Sequence, residues 1–511
     1  MKFVSAAGMR EGEGRAILRH PSLDRALMER AGKGLAFAIR TLVHHLDSPD
    51  PAVRLLAGPG NNGGDAFAAA LFLGDMGLEP EVWLACPAEK LKGSARHFFD
   101  RMVGAGISCR ELASEADWDA LEIEVSPPPI LVDGLLGTGA KGPPMGTIRR
   151  AIDYLRARSD TSLVVSADIP SGMNTDTGEA SGAVVAADYT VAMGFPKAGM
   201  ATLAALETLG SLRCAEIGLP AEFTEAIPDA RPDLQWISEA DVRRILPRRR
   251  RDSHKGTHGR ALLMGGDAPY PGAIVLAAQG AIRSGAGLVR VATSAPAASA
   301  AVVRVPEAIV GADLSADFPL EGMDAILAGP GLGRDPEARR LVARLLRETP
   351  GPLVLDADAI AVLAGKPDVV RSCAHPVVLT PHPGELALLL GRKAADVQAD
   401  RLAAAREAAD RTGAVVVLKG AGTVVAKTGQ PAWLNLNGNP GMACGGSGDV
   451  LAGLLAGLLA QKIPPFEAAC AAVWLHGAAG DVAALRHTQA AMKAGDIAQA
   501  LPDAFRQIRP R

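Results

Sequence analysis

The chain has 511 residues, of which 48% are apolar, so it is too long for one hydrophobic core and too apolar for a disordered protein. A formal net charge of −3 excludes nonspecific electrostatic binding of nucleic acid. An aromatic content of 4% argues against a sheet that stacks on RNA bases. Six cysteines without a CxxC pair, a charged N-terminal segment and the absence of an apolar run of bilayer-spanning length predict a soluble, cytoplasmic chain without zinc or disulfide scaffolds.

The first part of the chain alternates short apolar runs with amphipathic helices, after an opening helical segment. Three of these runs end in glycine- and aspartate-rich motifs, namely GPGNNGGD, DGLLGTG and ADIPSG. The alternation predicts a mostly parallel sheet, in which the loops at the carboxyl ends of the strands form the ligand crevice. We therefore predict that Asp65, Asp133 and Asp168 converge on one site.

The first of these motifs has the composition of an anion-binding turn. Its glycines allow the backbone to approach a ligand, and the helix that follows offers unpaired N–H groups, although the spacing is not GxGxxG. Asp65 is either a functional carboxylate or a plain helix cap. Single aspartates at strand ends also form caps or turns, but three of them beside glycines indicate a bound cation or acid–base chemistry.

A polar stretch around Pro228 and Pro232 interrupts the pattern, and we predict two unrelated domains, 1–225 and 236–511. The second domain repeats the same alternation, with apolar runs that lead into GGD, GPGLG, DADAI, TPHPGE and KGAGT. Two helices, near 448–460 and 465–485, are predicted to close the chain.

The segment NPGMACGGSGDVLAG (439–453) carries the strongest chemical signal. Its glycines lead into a helix, and Asp449 lies just inside the helix start, where it can accept a proton from a hydroxyl that attacks phosphorus. Its alternative role is that of a favourable acidic residue in a first turn. Lys419 either opens a nucleotide cradle or is a solvated lysine on a tight hairpin. For His382, between two prolines, structural and binding roles stay open.

The segments LMERAG, GPGNNGGD, DGLLGTG and ADIPSG, in this order, resemble the NAD(P)H-hydrate epimerase family. The resemblance implies a Rossmann-like fold, contact of Asp168 with the reacting ring, and a potassium ion held by Asn62, Asp133 and Ser171. The implied substrate-binding residues are Asn61, Asn62, Gly63, Gly64, Asp65, Gly137, Thr138, Gly139 and Asp168. Ala66 departs from the family, which often has glycine there, and its methyl is a candidate for narrowing the loop.

The second half resembles the ADP/ATP-dependent NAD(P)H-hydrate dehydratase family, which has a ribokinase-like fold. The matching segments are KGTHG, GAGLV, GPGLG, DADAI, TPHPGE, VLKGAGT and NPGMACGGSGDVL. The resemblance implies that Asp449 is the base and that Ala273, Gly331 and His382 contact the hydrate. The residues implied to hold ADP or ATP, with Mg²⁺, are Lys419, Gly420, Ala421, Gly422, Thr423 and Gly448. Cys444 stands where the family has threonine or serine, so a hydroxyl contact to phosphate is lost or replaced by a weaker thiol.

The fusion of the two halves itself predicts a function. Hydration of NADH or NADPH gives two epimers, and an epimerase fused to a stereospecific dehydratase lets both return to the intact nucleotide. We expect these hydrates and ADP or ATP as ligands, and a homo-oligomer. One alternative is a ribokinase-like kinase of a small vitamin alcohol, and another is a non-catalytic N-terminal binding domain.

Overall fold

The computed structural model describes residues 1–46, 52–121, 127–267 and 269–509. The chain divides into two compact units, Met1–Pro232 and Asp233–Arg511, and the division falls within the predicted polar stretch. All six cysteines are unpaired.

The first unit contains a parallel sheet of seven strands in the order β3-β2-β1-β4-β5-β6-β7. The strands are β1 (Ala52–Ala57), β2 (Glu79–Leu84), β3 (Ser108–Glu111), β4 (Ile130–Gly134), β5 (Leu163–Ala167), β6 (Tyr189–Met193) and β7 (Ser211–Ala215). The helices are α1 (Ala6–Arg19), α2 (Leu23–Leu46), α3 (Asn61–Asp75), α4 (Gly93–Gly104), α5 (Glu115–Asp119), α6 (Gly146–Arg156), α7 (Leu206–Leu209) and α8 (Ala221–Ala226). The strand order reverses between β1 and β4, which is where ligands bind in open α/β sheets.

At this reversal the loops after β1 and β4 pack so closely that glycine is required at the points of contact. A Cβ added at Gly58, after β1, would lie 2.0 Å from the Leu135 carbonyl oxygen after β4. A Cβ added at Gly63 would lie 2.0 Å from the Gly58 carbonyl oxygen. Because neither contact tolerates a methyl group, the glycine-rich motif is required for the start of α3 to pack against both loops.

The second unit contains a ten-stranded sheet in the order β11-β10-β9-β12-β13-β14-β15-β16-β17-β8. Its strands are β8 (Leu234–Trp236), β9 (Arg260–Met264), β10 (Leu288–Ala292), β11 (Ile309–Gly311), β12 (Ala325–Ala328), β13 (Leu353–Leu355), β14 (Val377–Leu379), β15 (Val415–Leu418), β16 (Thr423–Ala426) and β17 (Ala432–Asn435). The pairs β15–β16 and β16–β17 are antiparallel and the others are parallel.

The helices of this unit surround a large apolar core. They are α9 (Glu239–Ile245), α10 (Pro271–Arg283), α11 (Ala295–Arg304), α12 (Pro336–Glu348), α13 (Ala357–Ala361), α14 (Pro383–Leu390), α15 (Ala394–Ala399), α16 (Arg401–Thr412), α17 (Ser447–Ala460), α18 (Pro465–His487) and α19 (Ala494–Ile508). The two predicted closing helices correspond to α17 and α18. Helix α17 is apolar on all sides and buried, and it packs closely on α10, since a Cβ added at Gly453 would lie 1.8 Å from the Ala277 carbonyl oxygen.

The prediction that no apolar run is long enough to span a bilayer is wrong for α18. By length and composition this helix of 23 residues could cross a membrane. However, 89% of the apolar 18-residue segment of this helix is buried inside the unit, where the segment contributes to the core. A criterion of length and hydropathy alone does not separate the two cases, because glycine and alanine make a long core helix apolar without adding large side chains.

Candidate active sites

A cavity of about 460 Å³, here called the first cavity, lies at the carboxyl edge of the first sheet. Seven of the predicted substrate-binding residues line it, namely Asn61, Asn62, Asp65, Gly137, Thr138, Gly139 and Asp168. Gly63 and Gly64 are buried within the first turns of α3, where Gly63 packs against the loop after β1 and Gly64 packs against Met28 of α2 and Ala95 of α4. Helix α1 contributes a wall that sequence reasoning did not assign to the site, including Arg10 and Glu13.

Asp168 follows β5 and has a left-handed backbone conformation, with φ of 63°. Such a conformation is strained for an aspartate and persists only where the surroundings enforce it. Its Oδ1 accepts hydrogen bonds from the Met193 N–H at 3.0 Å and from the Lys197 ammonium group. Lys197 is 1% exposed and also donates to the Met193 carbonyl oxygen at 3.0 Å. The buried ion pair therefore fixes the carboxylate at the cavity wall.

Lys197 was missed at the sequence level. It lies in GFPKAGM after β6, and one lysine in a loop carries no signal of its own before the fold places it beside Asp168.

Two further carboxyl groups share the first cavity. Burial raises the pKa of Glu13 to about 7; the positive charge of Lys197 opposes this shift and the negative charge of Asp168 adds to it. Burial, with the charges of Asp168 and Glu13, raises the pKa of Asp65 well above its usual range. The alternative role of Asp65 as a helix cap is wrong, because Gly60 is the N-cap of α3 and Asp65 is the fifth residue of the helix. The cavity thus contains two carboxyl groups, Glu13 and Asp65, whose protonated forms are favoured by burial.

Asp133 is fully buried and does not line the first cavity, so only two of the three predicted aspartates reach it. Its carboxylate accepts hydrogen bonds from Ser171 Oγ at 2.5 Å and Ser171 N at 2.8 Å, and from Ser166 Oγ at 2.9 Å. Asn62 donates through Nδ2 to the Leu136 carbonyl oxygen at 3.0 Å. Asn62 Oδ1, in contrast, is buried and has no hydrogen-bond partner among the described residues. An unpartnered buried oxygen needs a ligand or water to satisfy it.

The Ala66 methyl does not narrow the loop. Ala66 is fully buried, and a Cβ added at Gly134 would lie 2.7 Å from the Ala66 Cβ. The methyl therefore packs against the end of β4, where glycine leaves room for it, and it is not among the residues that line the first cavity.

In the second unit, α17 begins at Ser447 after Gly446, which has φ of 93°, and Asp449 lies in the first turn as predicted. Burial raises the pKa of Asp449 to about 7; the charge of Asp356 adds to this shift, and that of Lys419 opposes it. A carboxyl group with such a pKa can change its protonation state at physiological pH.

Lys419 lies on a tight hairpin between β15 and β16, but it is not solvated. Its side chain is 17% exposed, and Nζ lies 2.7 Å from Asp356 Oδ1 and 3.8 Å from Glu385 Oε2. A Cβ added at Gly448 would lie 3.1 Å from Lys419 Nζ. The predicted hairpin is thus confirmed and the solvated lysine is wrong. The lysine side chain thus extends from the KGAGT turn to the first turn of α17.

A second cavity of about 600 Å³ lies near these groups. Its lining residues are Tyr270, Ala273, Gly331, Gly333, Arg334 and Asp358. The structure thus brings the predicted residues Ala273 and Gly331 together. Asp358, which also lines this cavity, lies close enough to Asp449 for its charge to raise the pKa of Asp449.

His382 and Asp449 are not among the residues that line the second cavity. His382 is the N-cap of α14, where its Nδ1 accepts hydrogen bonds from Gly384 N at 3.0 Å and Glu385 N at 3.2 Å. The structure therefore gives this histidine a structural contact, and its contact with a hydrate stays a prediction.

A buried histidine anchors the start of α17 and was also missed at the sequence level. His476 Nε2 lies 2.9 Å from the Ser447 carbonyl oxygen, to which it donates when it carries the proton. Burial lowers the pKa of His476 to about 4, so the ring is neutral at physiological pH. Cys444, just before this helix, is partly exposed and packs against the apolar core.

The comparisons with known proteins cover both units. A family model described as YjeF-related protein N-terminus matches residues 24–199, and one described as NAD(P)H-hydrate dehydratase matches residues 261–503. The bifunctional NAD(P)H-hydrate repair enzyme Nnr of Thermofilum pendens is 36% identical over 100% of this chain and 97% of its own length. Its namesake in Moorella thermoacetica is 37% identical over 99% of this chain and 97% of its own length.

A solved structure matches the second unit. The ADP/ATP-dependent NAD(P)H-hydrate dehydratase from Bacillus subtilis, co-crystallised with ATP and Mg²⁺, is 37% identical, with a TM-score of 0.51, and the match covers 54% of this chain and 99% of that one. The predicted Rossmann-like and ribokinase-like α/β folds are confirmed. From its full-length relatives and its two matched domains, the chain belongs to the family of bifunctional NAD(P)H-hydrate repair enzymes.

Proposed function

We propose that the first unit interconverts the epimers of hydrated NADH and NADPH, and that the second unit uses ADP or ATP to dehydrate the S epimer. The observation that carries this assignment is that each unit has its own acidic group near a buried lysine, Asp168 beside Lys197 and Asp449 near Lys419. Membership of the family favours repair over the kinase of a vitamin alcohol and over a non-catalytic first domain.

Epimerisation requires that a hydroxyl leaves one face of the ring and that water adds to the other. The hydroxyl is on a carbon bonded to the ring nitrogen, whose lone pair expels it as water once a carboxyl group donates a proton. Water then adds to the opposite face of the iminium ion and gives a proton to a second carboxyl group, and return of that proton to the first group restores the starting protonation state. Asp65, with its raised pKa, suits the donor, and Asp168, fixed by Lys197, suits the acceptor.

Potassium binding at Asn62, Asp133 and Ser171 is part of this proposal. The donor set consists of oxygen atoms, which suit a hard cation, and the unpartnered Asn62 Oδ1 is the atom that most needs one. A bound potassium ion would supply a fixed positive charge beside the loops after β1 and β4. The ion would thereby order Leu136, whose carbonyl oxygen already accepts from Asn62, and with it the loop that lines the first cavity.

Dehydration proceeds through a better leaving group. The ring hydroxyl attacks the terminal phosphorus of ADP or ATP while Asp449 takes its proton; the new C–O–P linkage forms as AMP or ADP leaves. The ring nitrogen then expels phosphate, and loss of a proton from the neighbouring carbon gives NADH or NADPH. The turn from Lys419 to Thr423, with Gly448, is proposed to hold the nucleotide.

Magnesium is proposed to arrive with the nucleotide. Over the described residues, no group of three or more histidine, cysteine or acidic side chains could hold a metal ion alone. Mg²⁺ is commonly bound through substrate phosphates and few protein ligands, and it supplies neutralisation of their charge.

Two variants of the full chain test the division of labour. A mixture of the two hydrates is followed by chromatography with and without ADP. Asp168→Asn is expected to stop the interconversion of the epimers and to leave dehydration of the S epimer intact, and Asp449→Ala is expected to do the reverse. Each variant is the control for the other. Full-rate interconversion by Asp168→Asn, or loss of both activities in either variant, would contradict the proposal.

A further inference from the structure

A buried arginine lies directly beneath the KGAGT turn. Arg401 is the first residue of α16 and is 7% exposed. Its Nη2 donates to the carbonyl oxygens of Leu418 and Lys419, both at 3.1 Å, and of Gly422 at 3.4 Å. One guanidinium group thus holds three carbonyl groups of the same turn.

In the part of the chain that the structure describes, the charge of Arg401 is not balanced by a carboxylate, as the charge of a buried arginine usually is. Among the described residues Arg401 forms no ion pair, since Nη1 donates to the neutral Gln398 Oε1 at 2.8 Å and Nε has no partner. A buried cation without a counter-ion is unfavourable for folding, and residues of this kind are expected where function requires them. Burial lowers the pKa of Arg401 to about 10, which still leaves the group charged at neutral pH.

The inward Lys419 carbonyl group determines where the next N–H group of the turn points. In a trans peptide the carbonyl and the N–H point in opposite directions, so the Gly420 N–H points away from Arg401 when the Lys419 carbonyl points towards it. The N–H groups of Gly420, Ala421 and Gly422 donate no hydrogen bond within the described part of the chain. Free consecutive N–H groups form an anion-binding surface.

Glycine is required opposite the guanidinium group. Gly420 has φ of 132°, and a Cβ there would lie 3.1 Å from both Nη1 and Nη2 of Arg401. The turn therefore lies directly on the arginine, and the positive charge is behind the surface that presents the free N–H groups.

We infer that Arg401 is the positioning residue of the nucleotide turn, holding its carbonyl groups inward so that its free N–H groups face the phosphates of ADP or ATP. The inference rests on the proposed nucleotide-binding role of Lys419–Thr423. Arg401 touches the turn and not the reacting atoms, so it acts on nucleotide affinity and not on the chemical step.

The test measures ADP binding by calorimetry, and the nucleotide KM and kcat of dehydration, in the full chain. For Arg401→Met we expect ADP affinity to fall by roughly 10- to 100-fold, the loss that follows when a residue that orients the ligands of a metal ion is removed, with kcat at saturating ADP changed by less than about 3-fold. Arg401→Lys, which keeps the charge but not the planar fork, is expected to lie between Arg401→Met and the wild type.

A matched control is Arg371→Met in the same unit. Arg371 also donates to backbone carbonyl oxygens, those of Asp410 and Arg411, but at an exposed site. This control is expected to leave ADP affinity unchanged. Hydrogen exchange in a peptide that covers the turn is expected to be faster in the Arg401 variants, which reports on the turn even if Arg401→Met folds poorly and Arg401→Lys must be used alone.

Unchanged ADP affinity in both Arg401 variants would overturn the inference while leaving the proposed function intact. An equal loss of affinity in Arg371→Met would also overturn it, because the effect would then be one of general stability. If the wild-type chain dehydrates the hydrate without binding ADP, the nucleotide-binding role of the turn fails and the inference fails with it.

Discussion

We expect the protonation of Asp449, the proposed base, to set the pH dependence of dehydration, because a carboxyl group accepts the hydroxyl proton only when it is ionised. Its ordinary pKa of 3.8 would leave it fully ionised above pH 6, whereas burial and the charge of Asp356 raise it to about 7. With this pKa the ionised fraction is about one tenth at pH 6 and about nine tenths at pH 8. We therefore expect kcat/KM to rise by about 10-fold over this interval and to approach a plateau above it.

The assay follows the near-ultraviolet absorbance that returns as the purified S hydrate becomes NADH, at limiting hydrate and saturating ADP. The phosphates of ADP also titrate in this range, so a variant is needed that moves only the protein group. Glu385→Gln removes a negative charge that raises the pKa of Asp449, and the amide oxygen can still accept from the His382 N–H. The midpoint of the profile should then move to lower pH.

Two results would refute this reasoning. A flat profile between pH 6 and 8 would mean that Asp449 is ionised throughout or is not the base. A midpoint that stays in place in Glu385→Gln would mean that the nucleotide, and not Asp449, titrates.

Two substitutions, the first with a matched control, test the packing of α17 and the first site. Gly453→Ala is expected to lower the free energy of unfolding of the second unit by about 1–3 kcal/mol in denaturant titrations, because the new methyl would overlap the Ala277 carbonyl oxygen, at 1.8 Å. Gly495→Ala in α19, with no atom within 4 Å of the new methyl, should instead be neutral or stabilising by up to about 1 kcal/mol, and equal losses in both would contradict the close packing of α17 on α10. Lys197→Met should slow epimerisation by about 100-fold or more in the chromatographic assay while dehydration of the S epimer persists, and a full epimerisation rate would show that the Asp168–Lys197 pair is not used.

Features that depend on neighbouring residues could be predicted from the sequence. The alternation of apolar runs and helices gave the parallel sheets, and the glycines before Asp449 gave its position in the first turn of α17. The turn after β15 was also predictable as a hairpin, because two β-rich runs flank four residues that include two glycines.

Features that depend on contacts distant in the chain could not be predicted. Lys197 lies 29 residues after Asp168 in the chain, and Glu13 lies in α1. Neither residue belongs to a recognisable motif, so the sequence does not show that both lie near Asp168. Asp133 occupies a strand end like the other two aspartates, yet its side chain is turned into the interior and bonded to Ser171. A strand-end position identifies the edge of the sheet, but the direction of the side chain at that edge depends on the loop that follows.

The two units arrive at similar electrostatics from unrelated folds. In each, a buried lysine pairs with one carboxylate, Lys197 with Asp168 and Lys419 with Asp356. Because that pairing satisfies the lysine, a further carboxyl group nearby is buried against a negative neighbour without a cation of its own, and the pKa of Glu13 and that of Asp449 both rise to about 7. A lone buried carboxyl group would be protonated at neutral pH and a fully paired one would be ionised. A lysine shared unequally between two carboxyl groups holds one of them in place and leaves the other, Glu13 or Asp449, able to change its protonation state near neutral pH.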